Sequence, residues 1–455
     1  NANQPMLDQE LRLALVFNGT IYNYKELREE LSGMGYHFFS DGDSEVILKA
    51  YHAWGERCVE RFYGMFAFAV WDMRHATLFL ARDRFGIKPL YYSLDGASLR
   101  FASNTQALLA AGGVDTSLDP VGLHHHFTLH AVVPAPRTIL NGVKKLPPAT
   151  TLMVDTRGKL SARTYWNLDA TRPPQTLSEQ DWIAATRHVL IKAVERHRLA
   201  SDVPVGVLLS GGLDSSLLVG LLADHVENLL TFSVGFEELG DGAEKGDEFE
   251  YSDQVAERFK TRHHKFLLAN AEVLRRLPEA VDNMAEPMVS QDAVAFYLLA
   301  EKVAEEVKVV LSGQGADEVF GGYFWYPRMD ATPGTPLERF RQHYFDRDHD
   351  EYLEMVTPPC HVPDVTSELV ARELAKPRAD TFLDAVLRFD VTTLIVDDPV
   401  KRVDNMTMAW GLEARVPFLD HEVVELAARM PPGLKLREGG KFPLKAVARG
   451  LIPDA

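Results

Sequence analysis

Residues 203–218 read VPVGVLLSGGLDSSLL, and the rest of the chain can be organised around them. Residues 203–209 are an almost unbroken apolar run, the pattern of a strand covered on both faces. Residues 215–223 continue as an apolar helix. Between the two lies Ser210-Gly211-Gly212-Leu213-Asp214-Ser215-Ser216. Two glycines allow a tight backbone turn, so that successive N–H groups can face one anion. The hydroxyls of Ser210, Ser215 and Ser216 add donors, and a helix N-terminus favours negative charge. The segment therefore reads as a phosphate cradle, although it lacks the lysine and spacing of a Walker loop. Asp214 repels phosphate, and a bridging Mg²⁺ resolves the conflict. A plain glycine-rich turn needs neither three hydroxyls nor a carboxylate.

Downstream, strands at 229–236, 265–268 and 307–311 alternate with helices at 252–259 and 293–307. This alternation predicts a parallel α/β sheet. Upstream the rhythm differs. Residues 11–17 form a strand ending at the turn pair Asn18-Gly19. Asn23 is placed to cap a helix, with Glu26 at the capping-box position and Gly33 and Gly35 at its close. A second helix covers 44–54. Short strands at 65–71, 76–81, 89–93 and 99–102 suggest an antiparallel meander, continuing to about 165 past a proline-rich loop at 134–136. Residues 171–176 are polar with two prolines and read as a linker. The domain boundaries are thus 1–170 and 177–455.

The formal charge is −17, from 65 acidic and 48 basic residues, which disfavours a nucleic-acid partner. No apolar run reaches the roughly 18 residues needed to cross a bilayer, and no signal peptide opens the chain. Cys58 and Cys360 are the two cysteines. They lie far apart without metal-ligand spacing, so both read as apolar packing residues in a reducing cytoplasm. Cys58 is placed inside a helix. The runs His124-His125-His126 and His263-His264 are read as structural or surface residues, because neighbouring side chains point different ways.

Three segments of the second domain carry a family resemblance. Ser210–Ser216 matches the SGGxDS signature of ATP pyrophosphatases. Residues 311–323, LSGQGADEVFGGY, resemble SGEGADE-x-FGGY of asparagine synthetases. Residues 413–420, EARVPFLD, preceded by Arg402 and Asp404, resemble that family's E-x-R-x-PFLD, and Gly440-Lys441 matches its phosphate-binding lysine. The resemblance implies an adenine-nucleotide α-hydrolase-like synthetase domain that uses ATP and Mg²⁺ to make an acyl-adenylate. It implies that Ser210, Gly211, Gly212, Ser215 and Ser216 hold pyrophosphate, with Leu209 and Val234 beside adenine and ribose. Ser312 and Gly313 would close the nucleotide site, Asp214 and Asp317 would hold Mg²⁺, and Lys441 would neutralise the departing pyrophosphate.

The first domain resembles glutamine amidotransferase domains of the N-terminal nucleophile hydrolase type, an α+β fold. The matches are residues 17–23, FNGTIYN; 40–45, SDGDSE; and 82–91, RDRFGIKPLY. They imply glutamine as nitrogen donor, an oxyanion hole from the Asn18 side chain and the Gly19 N–H, and recognition of the glutamine α-amino group by Asp43. The third match implies packing more than chemistry. Thr20 stands where the family has glutamate, which shifts amino-group recognition toward Asp43. The family's nucleophile is a cysteine at the mature N-terminus, whereas this chain opens at Asn1. It therefore reads as a piece of a longer protein whose cysteine, and an arginine for the glutamine carboxylate, lie upstream.

A β-lactam-synthetase-like cyclase without glutaminase activity and a non-catalytic scaffold are the rival readings. The carboxylate acceptor is read as N-acetylglutaminylglutamine or aspartate. Whole-chain resemblance favours the bacterial amidotransferases that act on the acetylated dipeptide, and Gln314 is assigned to acceptor binding. A homodimer is usual among such relatives.

Overall fold

The computed structural model describes residues 3–96, 98–175, 177–237, 249–288 and 292–453. Thr176, the last residue of the predicted linker, lies outside them. Two compact units form, and neither is one continuous stretch. The first takes the described residues up to Leu168 together with Asp346–Thr366 and Thr392–Asp397; the second takes Asp169–Phe345, Ser367–Val391 and the residues from Asp398 onward.

In the first unit the strands are β1 (Met6–Asp8), β2 (Leu13–Ile21), β3 (Gly64–Asp72), β4 (Thr77–Arg82), β5 (Tyr91–Asp95), β6 (Ser98–Ala102), β7 (Lys144–Lys145), β8 (Thr150–Val154) and β9 (Leu160–Thr164). They make an antiparallel six-stranded sheet, β1-β2-β3-β4-β8-β9, and a three-stranded sheet, β6-β5-β7. The four short strands read as one meander are therefore divided between two sheets.

The segment after β4 shows why. The Arg82 guanidinium donates to the carbonyls of Lys88, Gly86 and Leu146 at 2.7–2.8 Å. The buried Asp83 carboxylate accepts from the N–H groups of Phe66, Phe85, Ile87 and Lys88. Backbone groups that a continuing ladder would pair are instead held by two side chains, and the chain turns off the first sheet. The RDRFG match is thus a packing device.

Two further expectations change. Asn23 does sit at the N-cap of the helix Tyr24–Gly33, but makes no capping bond. Its side chain instead accepts from the Tyr63 N–H and donates to the Arg61 carbonyl. Cys58 lies in a 3-10 helix, Gly55–Arg61, and not inside an α-helix. Burial drives its thiol pKa well up. His124 and His125, on the helix Pro120–Thr128, are both buried.

In the second unit β10 (Val205–Leu208), β11 (Leu230–Phe236), β12 (Arg262–Leu268), β13 (Val309–Leu311) and β14 (Glu413–Arg415) form the sheet β12-β11-β10-β13-β14. Every pairing is parallel. Phe232, Val303, Val310 and Leu412 fill the layer between this sheet and a helix, Asp292–Glu306. The helix Leu213–Leu222, apolar all round, is buried from Ser215 to its end, as such a pattern requires. The EARVPFLD stretch secures the long helix Glu179–Leu199: Arg415 donates to the His197 carbonyl, and Asp420 pairs with Arg196 at 2.7 Å. Burial opposes the Asp420 charge, yet His197 and Arg196 hold its carboxyl well below the usual range. No helix among the described residues is long and apolar enough to cross a membrane.

Candidate functional site

β10 sits at the centre of the parallel sheet, and the chain leaves its C-terminal end into Ser210–Gly212 before entering the helix Leu213–Leu222. Ligands in open α/β sheets collect at this end of the strands. The loop organises itself. The Ser215 hydroxyl accepts from the Ser210 N–H at 3.2 Å and lies 3.1 Å from the Ser210 hydroxyl. The Ser210 hydroxyl also accepts from the Gly212 N–H at 3.2 Å. Ser216 Oγ is buried and makes no hydrogen bond.

A cavity of about 540 Å³ opens above the loop. Leu209, Ser210, Gly212, Asp214, Ser215 and Val234 line it, and Ser312, Gly313, Gln314 and Asp317 close its other side. Ten residues singled out from the sequence thus share one cavity; Gly211, Ser216 and Lys441 are not among its lining residues. Its apolar wall was not foreseen. Phe232, Phe236, Phe249 and Phe296 supply aromatic surface, with Asp292, Ala295 and Leu299 beside them. Positions 292, 295, 296 and 299 recur at helical spacing on one face of Asp292–Glu306, the only signal that could have pointed to them.

Lys441 Nζ lies 2.8 Å from Asp214 Oδ2 and 2.8 Å from Asp317 Oδ1. Burial pushes the Asp214 carboxyl up to about 6; Lys441 opposes this and Asp317 adds to it. Burial works against the Lys441 ammonium as well, but the two carboxylates prevail and raise its pKa. Asp214 Oδ1 is buried without a hydrogen-bond partner. Lys441 holds left-handed backbone, φ 52°, at the N-cap of the helix Phe442–Ala448. A strained non-glycine residue at such a point is the kind of backbone found at functional sites. Gly322 closes over the triad: a Cβ there would stand 2.1 Å from Asp317 Oδ1 and 2.9 Å from Lys441 Cε. A larger residue there would have to push the Asp317 carboxylate and the Lys441 side chain aside.

In the first unit Asn18 and Gly19 are not in a turn but inside β2, opposite Ala67 and Phe66 of β3. Gly19 has φ +134°, and a Cβ would meet the Met65 carbonyl at 2.1 Å. Asp43 opens the helix Asp43–Trp54, and its Oδ2 accepts from the Ile21 N–H at 3.0 Å. That bond ties Asp43 to the end of the strand carrying Asn18 and Gly19. Glu45, fully buried, accepts from the N–H groups of Phe39 and Ser40 and anchors the loop before Asp43.

The sequence model of the asparagine synthase family matches residues 185–455, and that of the glutamine amidotransferase domain matches residues 1–166. The chain belongs to the asparagine synthetase family. It is 33% identical over 454 residues to asparagine synthetase [glutamine-hydrolyzing] 3 of Bacillus subtilis, covering 97% of this chain and 73% of that relative. With asparagine synthetase [glutamine-hydrolyzing] 1 of the same organism it shares 31% identity, covering 100% of this chain and 76% of the relative. The two motif sets of this asparagine synthetase family member fall within the two family matches.

Proposed function

We propose that the chain is a glutamine-dependent, ATP-consuming carbon–nitrogen ligase that turns a carboxylate into a carboxamide through an acyl-adenylate. The observation that carries the reading is the meeting of Asp214, Asp317 and Lys441, from three distant segments, beside a serine-lined loop and an aromatic-walled cavity. A carboxylate oxygen attacks the α-phosphorus of ATP, and pyrophosphate leaves. Ammonia then attacks the activated carbonyl carbon, and AMP departs with the former carboxylate oxygen as the nitrogen sheds its proton.

Ser210, Gly211, Gly212, Ser215 and Ser216 bind the pyrophosphate portion, with Leu209 and Val234 along adenine and ribose and Ser312 and Gly313 closing the site. Two carboxylates and the unpartnered Asp214 Oδ1 fit Mg²⁺, which takes one or two carboxylates and fills its other positions with phosphate oxygens and water. When bound, it neutralises charge on the phosphates. The Lys441 ammonium adds a fixed positive charge where negative charge grows on the leaving pyrophosphate. In the first unit the Asn18 side chain and Gly19 N–H act as oxyanion donors for glutamine hydrolysis, and Asp43 holds the glutamine α-amino group. The reaction belongs in the reducing cytoplasm, in keeping with two free thiols.

For the acceptor, Gln314 decides our choice. A glutamate at this position answers the ammonium of aspartate, whereas an amide both donates and accepts and suits a blocked amine. We therefore assign N-acetylglutaminylglutamine ahead of aspartate. Full-length protein is given ATP, Mg²⁺, glutamine and either acceptor, and the products are weighed. Amidated dipeptide without asparagine supports the assignment; efficient asparagine formation with untouched dipeptide refutes it.

A further inference from the structure

A second cluster of ligand-type side chains lies wholly in the first unit, where the added segment Asp346–Thr366 packs. His124 Nε2 is 3.0 Å from His349 Nδ1 and 4.0 Å from Asp364 Oδ1. One ligand atom from each of His124, His349 and Asp364 lies within 4.8 Å of the others. We propose that these three side chains form a binding site for a borderline-soft divalent metal ion of the Zn²⁺ type, separate from the nucleotide cavity.

The donor set is two imidazoles and one carboxylate, a combination that selects Zn²⁺ over Mg²⁺ or Ca²⁺, which prefer oxygen ligands alone. A tetrahedral ion with bonds of about 2.0–2.1 Å needs donors about 3.3–3.4 Å apart. The separations of 3.0 and 4.0 Å straddle that value. His349 is the first residue of a helix, His349–Met355, and Asp364 precedes another, Val365–Leu374. Both are partly exposed, and bringing the 4.0 Å pair to that spacing takes a movement of about 0.6–0.7 Å. Water can complete the coordination from that open side.

His124 itself is prepared. It is fully buried, with the Tyr352 ring 4.5 Å from its own. Its Nδ1 lies 2.6 Å from Thr366 Oγ1, and the same oxygen lies 2.9 Å from His125 Nδ1. The hydroxyl has one proton. With His124 Nδ1–H donating to Thr366 and Thr366 donating to His125, the lone pair of His124 is left on Nε2, facing His349 and Asp364. Metal-binding histidines are oriented by just such a bond from their other nitrogen.

The test uses the full-length protein, stripped with chelator and titrated with Zn²⁺, with Co²⁺ as a spectroscopic replacement. Wild type is expected to retain one equivalent through gel filtration and to give the absorption of a tetrahedral Co²⁺ site. His349→Ala and Asp364→Asn, at partly exposed positions that leave the fold intact, each lose that equivalent and spectrum. Thr366→Val keeps the ligands but binds roughly tenfold more weakly, and Asp317→Asn, in the nucleotide cavity, keeps the equivalent. Absence of binding in wild type, or an undiminished equivalent in both His349→Ala and Asp364→Asn, overturns the proposal.

Discussion

Asp214 stood out in its loop as a carboxylate beside a phosphate cradle, whereas Asp317 and Lys441 were pointed to only by motifs that resemble those of a known family. Their contact was not legible, since 227 residues separate Asp214 from Lys441 and no local pattern encodes the distance between them. The aromatic wall was hidden for another reason. Phe232, Phe236 and Phe249 look like ordinary core residues until the strand order is known, and only then do they face a cavity. Gly322 was part of a recognised motif, but its purpose is steric. Gly322→Ala drives a methyl into Asp317 and Lys441, and misplacement of catalytic groups by about 1 Å costs on the order of a hundredfold in rate. Acceptor-dependent exchange of pyrophosphate into ATP is predicted to fall by about that factor or more. The thermal midpoint should move little, because the collision is local. Exchange at the wild-type rate would show that the triad does not carry adenylation.

Among elements, the strand–loop–helix unit of residues 203–223 was read nearly as it forms, since its apolar runs and glycines admit few alternatives. The meander was misjudged because side chains, not strand propensity, determine where β4 ends: Arg82 and Asp83 consume seven backbone groups. The short helix Pro432–Lys435 offers a test of how its neighbourhood is built. Lys435 is buried, donates to the Ala427 carbonyl at 2.9 Å, and has its pKa brought down to about 8 by burial. Its folded pKa is thus below the unfolded value of about 10.4. Between those values the unfolded chain binds more protons, so this group's contribution to stability rises as pH rises above 8. Below pH 8 the ammonium is buried at a cost of a few kcal/mol at most, because each tenfold loss of proton affinity is worth about 1.4 kcal/mol. Lys435→Met should therefore be more stable than wild type at pH 7, with the gap narrowing by pH 9 in denaturant unfolding. A gap that widens with pH contradicts the assignment.

At the scale of the whole molecule, two motif sets announced two chemistries, and both family matches agree with them. What the sequence concealed was the return of Asp346–Thr366 and Thr392–Asp397 to the first unit. Long-range packing leaves no spacing to read. The division of labour predicts separable defects. In the full-length protein, Asn18→Ala should cut glutamine-dependent amide formation by roughly a hundredfold or more, as loss of one oxyanion donor does, while ammonia-dependent formation stays near wild type. An equal loss with both nitrogen sources would place Asn18 outside glutamine hydrolysis. The central claim, adenylation of a carboxylate, is tested most directly by the fate of an oxygen atom. Acceptor labelled with ¹⁸O in the carboxylate is incubated with enzyme, ATP, Mg²⁺ and ammonia, and the nucleotide products are weighed. The account predicts AMP carrying one ¹⁸O atom; unlabelled AMP, or ADP with label in inorganic phosphate, contradicts it.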